Sequence, residues 1–137
     1  MDKRSKLECF VKTTICQEDD ADSVQQLVQE VLESYGTEFT NMIQSLNFDK
    51  DTIRLGLEII AEDMTLDRDK FYHVLVLLSF CIKLDRYYKS TQNHWYTAEM
   101  LVQIVSDILW TVNFVPPPAA DFSSIELQYP IIIYVIT

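Results

Sequence analysis

The sequence predicts an all-α protein built around one helix that is buried on every side. Three observations carry that expectation. Only two of the 137 residues are glycine, Gly36 and Gly56, and proline is confined to Pro116, Pro117, Pro118 and Pro130. The body of the chain before Pro116 therefore has almost no helix breakers. From Val24 to Leu46 apolar residues recur at i, i+3 or i+4, the period of an amphipathic helix. From Val74 to Ile82 the run VLVLLSFCI has only Ser79 and Cys81 to soften it. A surface helix shows one apolar stripe, and a helix that is apolar all round is buried all round. The run is too short to span a bilayer, which takes about 20 apolar residues. A chain of this length is expected to be one domain, residues 1–137, able to bury roughly 70% of the surface its unfolded form exposes.

The elements follow in order. Leu7, Phe10, Val11 and Ile15 repeat at helical spacing and predict a short first helix. The acidic break CQEDDADS is rich in helix-starting residues, and Asp20 or Asp22 opens the long second helix. Its apolar positions are Val24, Leu27, Val28, Val31, Leu32, Tyr35, Phe39, Met42, Ile43 and Leu46, a stripe wide enough to touch two neighbours. NFDKD is the next turn, and a third helix presents Ile53, Leu57, Ile60 and Met64 on one face. TLDRD breaks it, with Asp67 or Asp69 capping the apolar helix, which is expected to end near Tyr88. After the polar loop KSTQN, Asn93 or Thr97 caps a helix carrying Met100, Leu101, Ile104, Val105, Ile108, Leu109 and Val112. Three consecutive prolines end it. The tail IELQYPIIIYVIT is apolar and β-branched, and its pattern fits helix or strand.

Composition narrows the function. The net charge of −10 leaves no basic patch to neutralise phosphates, so nucleic acid is not an expected partner. Cys9, Cys16 and Cys81 are odd in number and widely spaced, which fits neither a disulfide framework nor a zinc site and points to a reducing compartment. The first residues, MDKRSKLECF, lack the apolar core of a signal peptide. His73 and His94 are the only histidines. On one helix His73 stands eight residues from Cys81, roughly 12 Å along the axis, too far for a nucleophile and its base. Two lone glycines make no phosphate loop. Glu62 and Asp63, like Asp19 and Asp20, read as solvated turn or cap residues. No enzyme, cofactor, metal or small-molecule substrate is called for.

A central apolar helix among amphipathic ones is the plan of the Bcl-2 apoptosis regulators, and the residues extend the likeness. The family's first homology motif reads roughly ELF-x-D-G-x-NWGR-IV-x-FF-x-FGG. This chain has EDMTLDRDKFYHVLVLLSFCI. Glu62 and Asp63 stand at the acidic pair, Met64 at the leucine, Asp67 at the aspartate and Phe71 at the tryptophan. Val74, Leu75, Leu77, Leu78, Ser79 and Phe80 continue in register. Upstream, SYGTEFTNMIQSLNF resembles the family's RYRRxFxxLxxQLxI, with Tyr35, Phe39, Met42, Leu46 and Phe48 at matching positions. No gap is needed between Val31 and Phe80. Downstream, AEMLVQIVSDILW looks like the family's next helix, and DFSSIELQY resembles its second motif, WDxFVELY. The likeness spans most of residues 24–129. Where the family has Asn-Trp-Gly-Arg, this chain has Lys70, Phe71, Tyr72 and His73. The Leu-x-x-x-Gly-Asp core of the pro-death third motif (BH-3) is missing, with Val24, Val28 and Gln29 at the corresponding place.

The resemblance, closest to divergent viral members, implies a Bcl-2-like helical bundle with a buried central helix. It implies a pro-survival protein that holds pro-apoptotic BH-3 helices in an apolar groove. Carried over residue by residue, the groove is Val31, Tyr35, Phe39, Met42, Ile60, Met64, Lys70, Tyr72, His73 and Phe80. The implied partners are BH-3-only proteins such as Bim, together with Bax or Bak, and a homodimer is compatible with the same family. The family's arginine receives the ligand's aspartate through a two-pronged guanidinium that imidazole does not reproduce. His73 or Lys70 would take that role, and the bulk of Tyr72 would narrow the ligand range. A second reading stays open: a viral module of the same fold with a closed groove that inhibits innate immune signalling. The plain alternative is an unrelated helical domain with no groove. The implied location is the host cytoplasm, with recruitment to mitochondria through partners. After Pro130 the apolar tail is only IIIYVIT, far short of a membrane span.

Overall fold

A computed structural model describes residues 2–17, 23–64 and 71–116. It contains five helices and, among the described residues, no strand: α1 (Lys3–Ile15), α2 (Ser23–Leu46), α3 (Ile53–Asp63), α4 (Phe71–Ser90) and α5 (Ala98–Thr111). The all-α class and the buried central helix expected from the sequence are both present. Asp20, Asp22, Asp67 and Asp69, expected as caps, lie outside the described residues, as do Lys70 and the tail from 117 onward.

Helix α4 is the axle. Every residue from His73 to Ile82 is buried, and Leu75, Leu77, Leu78 and Phe80 have no exposed surface. Packing on α4 comes from α2 along most of its length, from α1 and from α5. Each wrapping helix turns its apolar stripe inward. From α1 this is Leu7, Val11 and Ile15; from α2, Val24, Val28, Val31, Phe39 and Ile43; from α5, Leu101, Ile104, Val105 and Leu109. The one hydroxyl in the middle of the axle is satisfied locally, since Ser79 Oγ donates to the Leu75 carbonyl at 2.7 Å. That bond removes the cost of burying an unpaired hydroxyl. The helix runs two residues past Tyr88. Ser90 Oγ donates to the Tyr87 carbonyl at 2.8 Å, and Gln92, with φ of 56°, supplies the left-handed residue that ends the run.

Local chemistry sets the remaining ends. Asp2 caps α1 by accepting from Ser5 N at 2.7 Å, and Thr97, one of the two expected caps, accepts from Met100 N at 3.2 Å. Buried Gln25 of α2 donates to the Thr13 carbonyl at 3.1 Å, so the second helix satisfies a terminal carbonyl of the first. In the α2–α3 turn Asp49 Oδ1 accepts from Asp51 N at 2.8 Å and Thr52 N at 3.0 Å, holding the reversal closed.

Two clusters pin the axle's ends. At its start, Phe71 stacks on Phe114 at 5.7 Å and meets Phe10 at 6.4 Å, joining α4 to α1 and to the chain beyond α5. At its far end Tyr88 packs on Trp95 and Tyr96 at 5.1 and 5.4 Å and donates its hydroxyl to the Phe48 carbonyl at 3.3 Å. Burial pushes the Tyr88 phenol up to about 12. Tyr96 donates to buried Asp85, whose other oxygen receives Lys89 at 2.9 Å. On the outside, Arg4 of α1 and Arg54 of α3 converge on Asp107 of α5. The hydrogen bond from Arg4, then that from Arg54, holds this carboxyl below the usual carboxylate range.

Candidate functional site

The residues expected to line a groove separate into two groups. Val31, Phe39, Met64, His73 and Phe80 are in the core, none more than 3% exposed. Phe39 of α2 meets Phe80 of α4 edge to face at 5.8 Å. Between α2 and α4 these side chains pack on one another and leave no surface exposed at Phe39 or Phe80. Tyr35 is half-buried with its ring 6.3 Å from that of Phe39, and half-buried Tyr72 sits edge to face on His73 at 4.1 Å. A buried imidazole meets a ligand's carboxylate only when the helices around it part. Lys70 lies outside the described residues.

Met42 and Ile60 do come together, and they do so at a cleft. It lies between α2 and α3, about 280 Å³ in volume, with Asn41, Met42, Ser45 and Leu46 on one wall and Gly56, Ile59, Ile60 and Asp63 on the other. The floor is buried Met42 and Ile60, and the lips are exposed, Leu46 by 39% and Ile59 by 49%. Leu55, one turn before Ile59, is 60% exposed. Exposed aliphatic side chains that cluster beside a hollow are unusual on a monomer surface and mark an interaction site more often than scattered ones do. Of the five large apolar residues exposed among the described residues, two line this cleft and a third, Leu55, lies one turn away on the same helix as Ile59.

A larger hollow of about 610 Å³ lies between α3 and α5, but it fits a ligand less well. Its walls carry the Arg54–Asp107 ion pair at 3.0 Å, Glu58 and Glu62, while its floor of Ala61 and Ile108 is already covered. None of the exposed large apolar residues lines it.

Two features of the cleft escape the sequence reading. Ile59 stands off the Ile53–Leu57–Ile60–Met64 face. Its signal was a second apolar stripe, Leu55 and Ile59 at i, i+4, on the side of α3 expected to be polar. Gly56 is the other. A Cβ there would stand 2.1 Å from Phe48 Cε1, so glycine is what lets the Phe48 ring lie against the α3 backbone.

Chemically the cleft offers apolar walls, two neutral polar side chains and one carboxylate. It brings together no nucleophile and base, and no group of three His, Cys, Asp or Glu placed to hold a metal ion occurs among the described residues. No described helix is long and apolar enough to cross a membrane. Comparison with protein-family models, curated proteins and solved structures finds no match for this chain.

Proposed function

We propose that this chain is a pro-survival protein of the Bcl-2 type that sequesters a narrow subset of pro-apoptotic BH-3 helices, Bim-like helices among them, at the α2–α3 cleft. The observation that carries the reading is the one open stretch of the expected groove, with Met42 and Ile60 as floor and Leu46 and Ile59 as lips. An amphipathic helix reads such a surface through anchors at i, i+3 or i+4 and i+7. The cleft as it stands seats only the first of these. The later anchors need Phe39 and Phe80 to part, so the binding-competent form is a minor state. Observed affinity then falls in proportion to that state's population. A helix must have strong anchors to overcome this, which makes the ligand range narrow.

One observation favours a second reading. The contact of Phe39 with Phe80 closes the α2–α4 side entirely. A closed module would meet its partners, such as components of innate immune signalling, on its outer surface instead. Calorimetric titration with a panel of BH-3 peptides separates the two. The groove reading expects micromolar or tighter binding by a few peptides, lost in Phe39→Ala and in Ile59→Glu while the helical circular dichroism persists. Failure of every peptide against the folded chain would overturn it in favour of the closed module.

A further inference from the structure

The cleft carries a charge pattern as well as a shape. On α3 the exposed residues Leu55, Ile59 and Asp63 follow at i, i+4 and i+8, so an apolar stripe ends one turn later in a carboxylate. The facing wall of α2 contributes Asn41 and Ser45, which are uncharged. Among the described residues Asp63 is the only charged side chain lining the cleft, and Glu58 and Glu62 stand exposed on the same helix. The one cation of α3, Arg54, pairs at 3.0 Å with Asp107 on the α5 side and leaves Asp63 without compensation from its own helix. The whole chain, at −10, adds to a negative potential at this end of the cleft.

We infer that the occupant is an amphipathic helix bearing a lysine or arginine one turn beyond its apolar anchors, received by Asp63. The inference rests on reading the cleft as a helix site, and it names the chemistry that selects among such helices. A second copy of this chain is the wrong occupant. An isologous contact through this face would bring two copies of Asp63 into one interface, each without a cation from its own helix to offset it. A rim carboxylate acts chiefly on encounter rate and partner choice, so it sorts ligands that share the same anchors.

The experiment uses the full chain and two synthetic helices with identical leucine anchors, one carrying Lys and the other Glu one turn past the last anchor. Fluorescence anisotropy at low salt should show the Lys helix bound about tenfold tighter, and the gap should narrow as salt screens the rim. In Asp63→Lys the preference should reverse. This residue ends α3, where a cation suits the helix dipole, so the variant is expected to fold. Equal binding of both helices would overturn the charge selection and leave the cleft reading standing. Binding of neither would overturn both. A Lys preference that survives in Asp63→Lys would remove Asp63 from the role. Sedimentation showing a dimer that Ile59→Glu dissolves would give the face to a second copy instead.

Discussion

Helix α2 treats its neighbours α4 and α3 differently. Against α4 it is sealed, with Val28, Val31 and Phe39 wholly buried. Against α3 it is parted, leaving a cleft of about 280 Å³. The cause lies in the partners. Helix α4 is apolar on all sides and must be covered wherever it runs, so every apolar side chain of α2 within reach is drawn onto it. Helix α3 has only 11 residues, and its buried face, Ile53, Leu57, Ile60 and Ala61, is met by α5 as well. Its other apolar stripe, Leu55 and Ile59, stays largely exposed among the described residues. A fold held this way has a closely packed interior and one outer helix that keeps an exposed apolar stripe among the described residues. Such an element is where local opening is expected.

The largest effect should come from emptying the sealed side. Leu78→Ala removes a side chain with no exposed surface and should cost about 2–5 kcal/mol in denaturant unfolding. Ile59→Ala on the parted side should change stability by less than about 0.5 kcal/mol. Equal costs at the two positions would break the contrast between the two faces of α2. So would a stable Leu78→Ala that unfolds with the wild-type midpoint.

The next effect is one of pH, and it reads the joint between the regions. Tyr88, at the end of α4, donates to the carbonyl of Phe48 in the α2–α3 turn, and burial raises its phenol to about 12. Unfolded tyrosine ionises near pH 10. Between those values the unfolded chain has lost a proton that the folded chain keeps, so the contribution of Tyr88 must fall as pH rises from about 10 and level off above about 12. Tyr96, raised by burial and then by its bond to Asp85, acts in the same direction. A loss of order 1–3 kcal/mol is expected across the window. Tyr88→Phe should be less stable at neutral pH by about 1 kcal/mol for the missing hydrogen bond, yet show a shallower alkaline slope. An unchanged slope in that variant would place the titration elsewhere.

The interior was legible in the sequence because its signals are one-dimensional. A run without a polar side must be covered, and Val74–Ile82 is. Of Asn93 and Thr97, the two residues placed to cap the last apolar period, Thr97 does so. Helix α1, the α2 stripe and the α3 face follow from period alone. The cleft was only half legible. Met42 and Ile60 were named for it, but Phe39 and Phe80 were named too, and these turned to one another. Periodicity says that a residue faces inward. It does not say whether the space before it holds a neighbour's side chain or is left open, because that depends on how far two helices stand apart. Ile59 and Asp63 matter through their position beside α2, which no pattern along α3 alone reveals.

The narrowest test concerns one close contact at the α3 wall of the cleft. Gly56 sits under the Phe48 ring, and an added Cβ would lie 2.1 Å from Cε1 and 2.5 Å from Cζ. Those distances are far inside contact, so Gly56→Ala requires the ring to move. Replacing glycine inside a helix by alanine gains about 1 kcal/mol of propensity, while overpacking costs about 1–3 kcal/mol. The net should be a loss of about 1 kcal/mol, smaller than for an emptied core site because a ring edge yields more readily than backbone. Phe48 is itself 7% exposed and its carbonyl receives Tyr88, so the ring can tilt but the turn cannot leave. A double-mutant cycle isolates this clash. Phe48→Leu alone should destabilise, and Gly56→Ala added to it should then be neutral or stabilising, because the clash is gone and the propensity gain remains. Additive losses in the cycle would mean that the glycine serves something other than the Phe48 ring. A stabilised single Gly56→Ala variant with weakened peptide binding would sharpen the comparison instead. It would show that the ring, pushed from α3, had moved into the cleft and filled the space a ligand needs.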